Sequence, residues 1–124
     1  MLIQVLKCKI HRAVVTDHNL DYEGSLTLDR ELMERAGLVP YEKVAVWNVT
    51  NGNRFETYLL EGRRGGRDVC VNGAAAHKAS KGDVLIVAAY ALVEPERAHG
   101  WQPRVVRVDA ANQPLADQGP ELAR

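Results

Sequence analysis

Four short stretches hold side chains capable of chemistry. At Gly24-Ser25 a hydroxyl follows a residue with no side chain. This pair is either ordinary turn material or a serine placed to attack its own backbone. A serine hydroxyl is a weak nucleophile at neutral pH, so attack on the adjacent peptide would need enforced geometry. Lys9 and His11 alternate along an extended segment and share a face. Together they either hold a carboxylate or form a solvated strand edge. Arg54, Glu56 and Tyr58 share one face of a second segment, with Phe55, Thr57 and Leu59 on the other. Arg54 offers a planar fork suited to a carboxylate, Tyr58 a phenolic proton, and Thr57 a hydroxyl hydrogen bond. A flat strand cannot aim Thr57 and Tyr58 at one point, so joint action needs a bulge, strong twist or a site between two subunits. The fourth stretch, Asn72-Gly73-Ala74-Ala75-Ala76-His77, leaves its backbone open to close approach. It is a simple strand-to-helix turn or an anion cradle.

Other chemistries lack their signatures. His11, His18, His77 and His99 show no ligand spacing, so no metal is expected. There is no Gly-x-Ser-x-Gly elbow, no Gly-x-Gly-x-x-Gly and no Walker lysine. Cys8 and Cys70 lie far apart in apolar stretches and read as reduced thiols.

These residues must be positioned by a small, strand-rich frame. Short β-branched runs predict strands at 2–7, 13–16, 25–28, 43–50, 54–60, 68–72, 83–93 and 104–108. Asn51-Gly52 predicts a type I′ hairpin turn. A helix is expected over 30–36, with Asp29 as N-cap, Leu28 and Met33 as a hydrophobic staple, and Gly37 at the left-handed C-terminal position. A shorter helix is expected over 74–79. The apolar run 84–93 is apolar on both faces and needs cover from closure, packing or an interface. One domain over 1–109 and a mobile tail over 110–124 complete the expected organisation.

The 124-residue chain is 46% hydrophobic, as a globular fold requires. Sixteen basic and 16 acidic side chains balance, which argues against nucleic acid or an anionic membrane surface as partner. The N-terminus lacks the order of charge and apolar core of a signal peptide, and the 84–93 run is too short to span a bilayer, so a cytoplasmic protein is expected.

Taken together, the pieces are far more specific than any one alone. Lys9 and His11, Tyr22-Glu23-Gly24-Ser25, Trp47-Asn48-Val49-Thr50-Asn51-Gly52, Arg54, Thr57-Tyr58 and Val71-Asn72-Gly73-Ala74-Ala75-Ala76-His77 occur in this order. The chain resembles the bacterial pyruvoyl-dependent aspartate decarboxylases, from residue 1 to roughly residue 95. The resemblance implies a mainly β fold, a small double-psi β-barrel with one or two short helices, assembled as a homotetramer with active sites between subunits. It implies self-cleavage between Gly24 and Ser25, leaving a covalent pyruvoyl group made from Ser25. It implies decarboxylation of L-aspartate to β-alanine through a Schiff base, for pantothenate synthesis, with a maturation factor as a candidate partner. By the same resemblance Arg54, with Lys9, would bind the retained carboxylate, and Tyr58 would protonate the carbanion. Thr57 would meet the oxyanion during cleavage, and Gly73, Ala74 and Ala75 would offer backbone contacts. His11 and Trp47 would shape the site, and Asn72 would support maturation. The rival reading is a non-catalytic, oligomeric β-barrel interaction module.

Overall fold

The computed structural model describes residues 1–21 and 25–116. Eight strands form one mixed sheet: β1 (Ile3–Val14), β2 (Asp17–Asn19), β3 (Ser25–Asp29), β4 (Lys43–Asn48), β5 (Arg54–Gly62), β6 (Val69–Asn72), β7 (Val84–Val93) and β8 (Arg104–Arg107). Their order is β2-β6-β3-β5-β4-β7-β1-β8. Two short α-helices, α1 (Arg30–Ala36) and α2 (Pro95–Ala98), and a 3-10 turn at Gly73–His77 complete the regular structure. This is the mainly β, barrel-like architecture expected. Parallel pairings of β3 with β5, β2 with β6 and β1 with β8 interrupt the antiparallel ladders.

Alternation explains what is buried. Cys8, Ile10 and Ala13 of β1, Leu26 and Leu28 of β3, Val44 and Val46 of β4, and Leu85 and Val87 of β7 point into one core, each almost wholly inaccessible. Leu32, Met33 and Ala36 of α1 join it from one side. The strand β7 lies between β4 and β1, which accounts for most of its apolar character; Tyr90 and Leu92 stay exposed.

Capping of α1 follows the sequence closely. Asp29 accepts from the Glu31 N–H at 2.8 Å, and both Leu28 and Met33 are buried. Gly37 adopts φ +76°, its N–H donates to the Glu34 carbonyl, and the Leu38 N–H donates to the Met33 carbonyl, a Schellman closure. Asp29 also accepts from the backbone N–H groups of Gly65 and Arg67 and from the Arg67 guanidinium, so one buried carboxylate ties β3 and α1 to the loop before β6. Burial alone would raise its pKa. The Gly65, Arg67 and Glu31 N–H donors and the Arg67 charge outweigh burial and hold the carboxyl below its ordinary value.

Several local expectations need correction. Residues 3–7 and 13–14 of the two expected segments belong to one long strand, β1, which pairs with β7 throughout its length; residues 15 and 16 lie beyond it. Register shifts between Leu6 and Cys8 and between His11 and Ala13 absorb the extra residues; Arg12 has φ +72°. The β4–β5 connection is a five-residue segment, 49–53, not a two-residue type I′ turn. Only Gly52 has positive φ there, because the Asn48 side chain accepts from the Thr50 and Asn51 N–H groups and stabilises a wider turn. The helix expected over 74–79 is the 3-10 turn Gly73–His77. Strand β2 and helix α2 were not anticipated. The three-residue β2 has almost no pattern, and the four-residue α2 is announced only by Pro95 at its first turn.

The chain beyond β8 is tied to the body as far as residue 115. Asn112, 1% exposed, accepts from the Val14 N–H and donates to the Val14 and Arg67 carbonyls. Among the described residues no helix is long and apolar enough to cross a membrane.

Candidate active site

Register places several candidate residues in transverse rows on the outward face of the sheet. Arg54 pairs with Trp47, Trp47 with Ile86, Ile86 with His11, and His11 with Arg107. The next row runs Glu56, Ala45, Ala88, Lys9 and Val105. Directly paired residues share a face, so Lys9, His11, Trp47 and Arg54, far apart in sequence, stand on one surface. Tyr58, two steps beyond Glu56 on β5, is on it too; its ring stacks with Tyr41 at 6.4 Å between centroids. Thr57 points to the opposite face, as alternation requires.

An open cleft of about 660 Å³ lies over the Trp47–Arg54 end of this surface, lined by Gln4, Lys43, Trp47, Arg54, Glu56 and Tyr90 among others; Lys9, His11 and Tyr58 do not line it. The Arg54 guanidinium sits 4.8 Å from the Trp47 ring centroid. Stacking on an aromatic face fixes the plane of the fork while leaving its N–H edge available. The neighbouring cation Lys43 pairs with Glu56 at 2.8 Å. Among the described residues, no carboxylate lies within ion-pair distance of Arg54.

The second group lies where β3 and β6 begin and end. Ser25 pairs with Asn72 across the antiparallel ladder. Ser25 is completely buried, its φ is +137°, and its Oγ has no hydrogen-bond partner among the described residues. Positive φ at a residue with a Cβ is strained, and a buried hydroxyl without a partner is unfavourable. Asn72 Nδ2 donates to Thr27 Oγ1 at 3.2 Å, and the Cys70 thiol donates to Asn72 Oδ1 at 3.2 Å. Gly73 turns the chain with φ +61°, a left-handed value that suits a residue with no Cβ, and leads into Ala74 and Ala75. Gly24, with Tyr22 and Glu23, lies outside the described residues.

Strand β5 links the two groups. It pairs with β4 through Arg54–Tyr58 and with β3 from Leu59 onward. Ser25 and Tyr58 each stand one residue before the Leu26–Leu59 pair. Sequence reasoning missed Thr27, Cys70, Tyr41 and Arg107. Thr27 was within reach, because alternation from Ser25 puts it on the same side; Cys70 and Arg107 are joined only through pairing between distant strands, and Tyr41 by a ring contact from the turn before β4. Among the described residues no group of three or more His, Cys, Asp or Glu side chains could hold a metal ion.

Comparison with known proteins gives the family. Residues 1–115 match the family model described as aspartate decarboxylase. The chain is 56% identical over 109 residues to an aspartate 1-decarboxylase of Syntrophus aciditrophicus, covering 88% of this chain and 94% of the relative. It is 55% identical over 115 residues to that of Leptospira biflexa, covering 92% and 98%. It is 51% identical over 118 residues to that of Myxococcus xanthus, covering 95% and 91%. These likenesses define the class first: decarboxylases carried on a small, mainly β frame. The chain belongs to the aspartate decarboxylase family.

Proposed function

We propose that this protein decarboxylates L-aspartate to β-alanine and CO₂, feeding pantothenate synthesis in the cytoplasm, with a pyruvoyl group made from its own Ser25. The observation that carries the reading is the state of Ser25: buried, strained at φ +137°, and with an Oγ that has no partner among the described residues. A hydroxyl bonded to a neighbour would have to break that bond before attacking. This one is already desolvated and unengaged.

In maturation, Ser25 Oγ attacks the Gly24 carbonyl carbon. The peptide C–N bond breaks, the Ser25 nitrogen is released as an amine, and an ester links the two segments. Loss of the Ser25 α-proton with cleavage of the Cβ–Oγ bond frees segment 1–24 as a carboxylate. Water then replaces the nitrogen of the resulting dehydroalanine, releasing ammonia and leaving a ketone at the start of segment 25–124. Thr57 donates to the oxyanion formed in the first step, a role worth roughly 3 kcal/mol in other enzymes.

The pyruvoyl ketone supplies an electron sink that no standard side chain offers. The protein's own residues do the rest. Arg54, held over Trp47, binds the carboxylate that is retained, and Lys9 adds positive charge to the same surface. Tyr58 delivers a proton to the α-carbon after CO₂ departs. Gly73, Ala74 and Ala75 present backbone to the substrate, Trp47 lines the cleft, and His11 stands on the same face in the Trp47 row. The Lys9–Arg54 surface and the Ser25–Asn72 pair occupy different parts of the sheet, and Thr57 and Tyr58 point to opposite faces. A neighbouring chain therefore completes each site, which fits a homotetramer with sites between subunits.

Intact-mass analysis tests this reading. Wild-type protein is expected as segments 1–24 and 25–124, the larger with a carbonyl at its start, releasing CO₂ from L-aspartate. A folded wild-type chain that stays whole, given time and accessory factors, and releases no CO₂ would instead favour a non-catalytic barrel module.

A further inference from the structure

Cys70 is used by none of the steps above, yet it stands in the short polar network beside Ser25. It pairs with Thr27 in the same ladder in which Asn72 pairs with Ser25. Its thiol donates to Asn72 Oδ1 at 3.2 Å, while Asn72 Nδ2 donates to Thr27 Oγ1 at 3.2 Å. A carboxamide can turn over and exchange its oxygen for its nitrogen at little internal cost; only its partners decide which end faces where. Thr27 can serve either end, since a hydroxyl both donates and accepts. Sulfur accepts only weakly, so the thiol, which donates here, is the partner that favours the oxygen end of the amide. Cys70 is half-buried, and burial, with the Asp17 and Asp68 carboxylates, pushes the thiol pKa up, so it remains a donor at neutral pH.

We propose that Cys70 is a positioning residue for backbone cleavage at Ser25, orienting the Asn72 amide so that its NH₂ end serves the Ser25 side of the ladder. The inference rests on the self-cleavage reading above. Thr27 takes one of the two Nδ2 hydrogens, and the second is left to meet negative charge developing beside Ser25. A reversed amide would turn a carbonyl oxygen towards that charge and oppose the attack.

The test follows the rate at which segment 25–124 appears by intact mass, together with thermal unfolding of each uncut chain. Cys70→Ala removes the donor and should slow cleavage about fivefold, the effect of one modest hydrogen bond, with little change in unfolding midpoint. Cys70→Val, also without a donor, serves as the second variant should the alanine chain fold poorly. Cys70→Ser restores a donor and should restore the rate. Cleavage at the wild-type rate in the donor-free variants would overturn the proposal, as would a serine variant as slow as alanine. Wild-type protein that never cleaves would remove the underlying reading itself, an outcome distinct from either.

Discussion

Ser25 and Asn72 are direct partners across β3 and β6, and the serine hydroxyl is buried there with no hydrogen-bond partner among the described residues. An unsatisfied buried hydroxyl costs about 1–3 kcal/mol, and a backbone outlier a similar amount. Both costs fall on one residue, adjacent to the bond proposed to break. Cleavage at that bond would remove the backbone constraint and convert the hydroxyl, relieving both at once. Ser25→Ala should therefore remain a single full-length chain, and it should be at least as stable as uncut wild type. Intact mass and thermal unfolding check the two halves of this prediction.

Tyr58→Phe should still mature, because the phenol is assigned to substrate chemistry and not to cleavage. Turnover should fall by roughly a hundredfold or more, the usual effect of losing a positioned acid. Measuring CO₂ release per carbonyl-bearing chain separates the two steps. Unchanged turnover would take the proton-donor role from Tyr58.

Arg54→Ala should weaken aspartate binding. A charge-assisted hydrogen bond contributes about 1.5–3 kcal/mol, which corresponds to a rise in KM of roughly 10- to 100-fold, with a smaller change in kcat. Arg54→Lys should recover only part, because an ammonium neither stacks flat on Trp47 nor offers a planar fork. Saturation curves with L-aspartate read both effects.

Asp29→Asn should destabilise the fold near neutral pH by about 1–3 kcal/mol, because charged acceptance from three N–H groups and Arg67 is lost. The Asp29 carboxyl is held below its ordinary pKa. Its contribution is thus fully present above the unfolded-state value, about 4, and fades as pH falls through the lower folded value. Denaturant unfolding of both chains should show a gap that is wide at pH 7 and narrows below about pH 4. A constant gap would mean that the carboxylate charge is not what matters.

Much of the local structure is legible in the residues. Asp29, Leu28, Met33 and Gly37 define both ends of α1 because capping, stapling and a left-handed closure depend on residues within one turn. The outward set Arg54, Glu56 and Tyr58 follows from alternation, and their exposure bears that out. Where a feature depends on a partner strand, the sequence is weaker. The extent of β1 is set by its pairing with β7, and the turn after β4 by the Asn48 side chain, so neither matched the local reading.

The candidate site divides in the same way. Which residues are able to carry chemistry was determined by the sequence alone, because a hydroxyl after glycine, a guanidinium, a phenol and a run of tiny side chains keep their chemistry wherever they sit. Which of them meet was decided only by tertiary structure. Strand register brings Lys9 and His11 onto the surface that holds Trp47 and Arg54, sets Ser25 against Asn72, and leaves the serine hydroxyl buried without a partner among the described residues. Pairing between distant strands follows from burying one shared core, and no local segment encodes it.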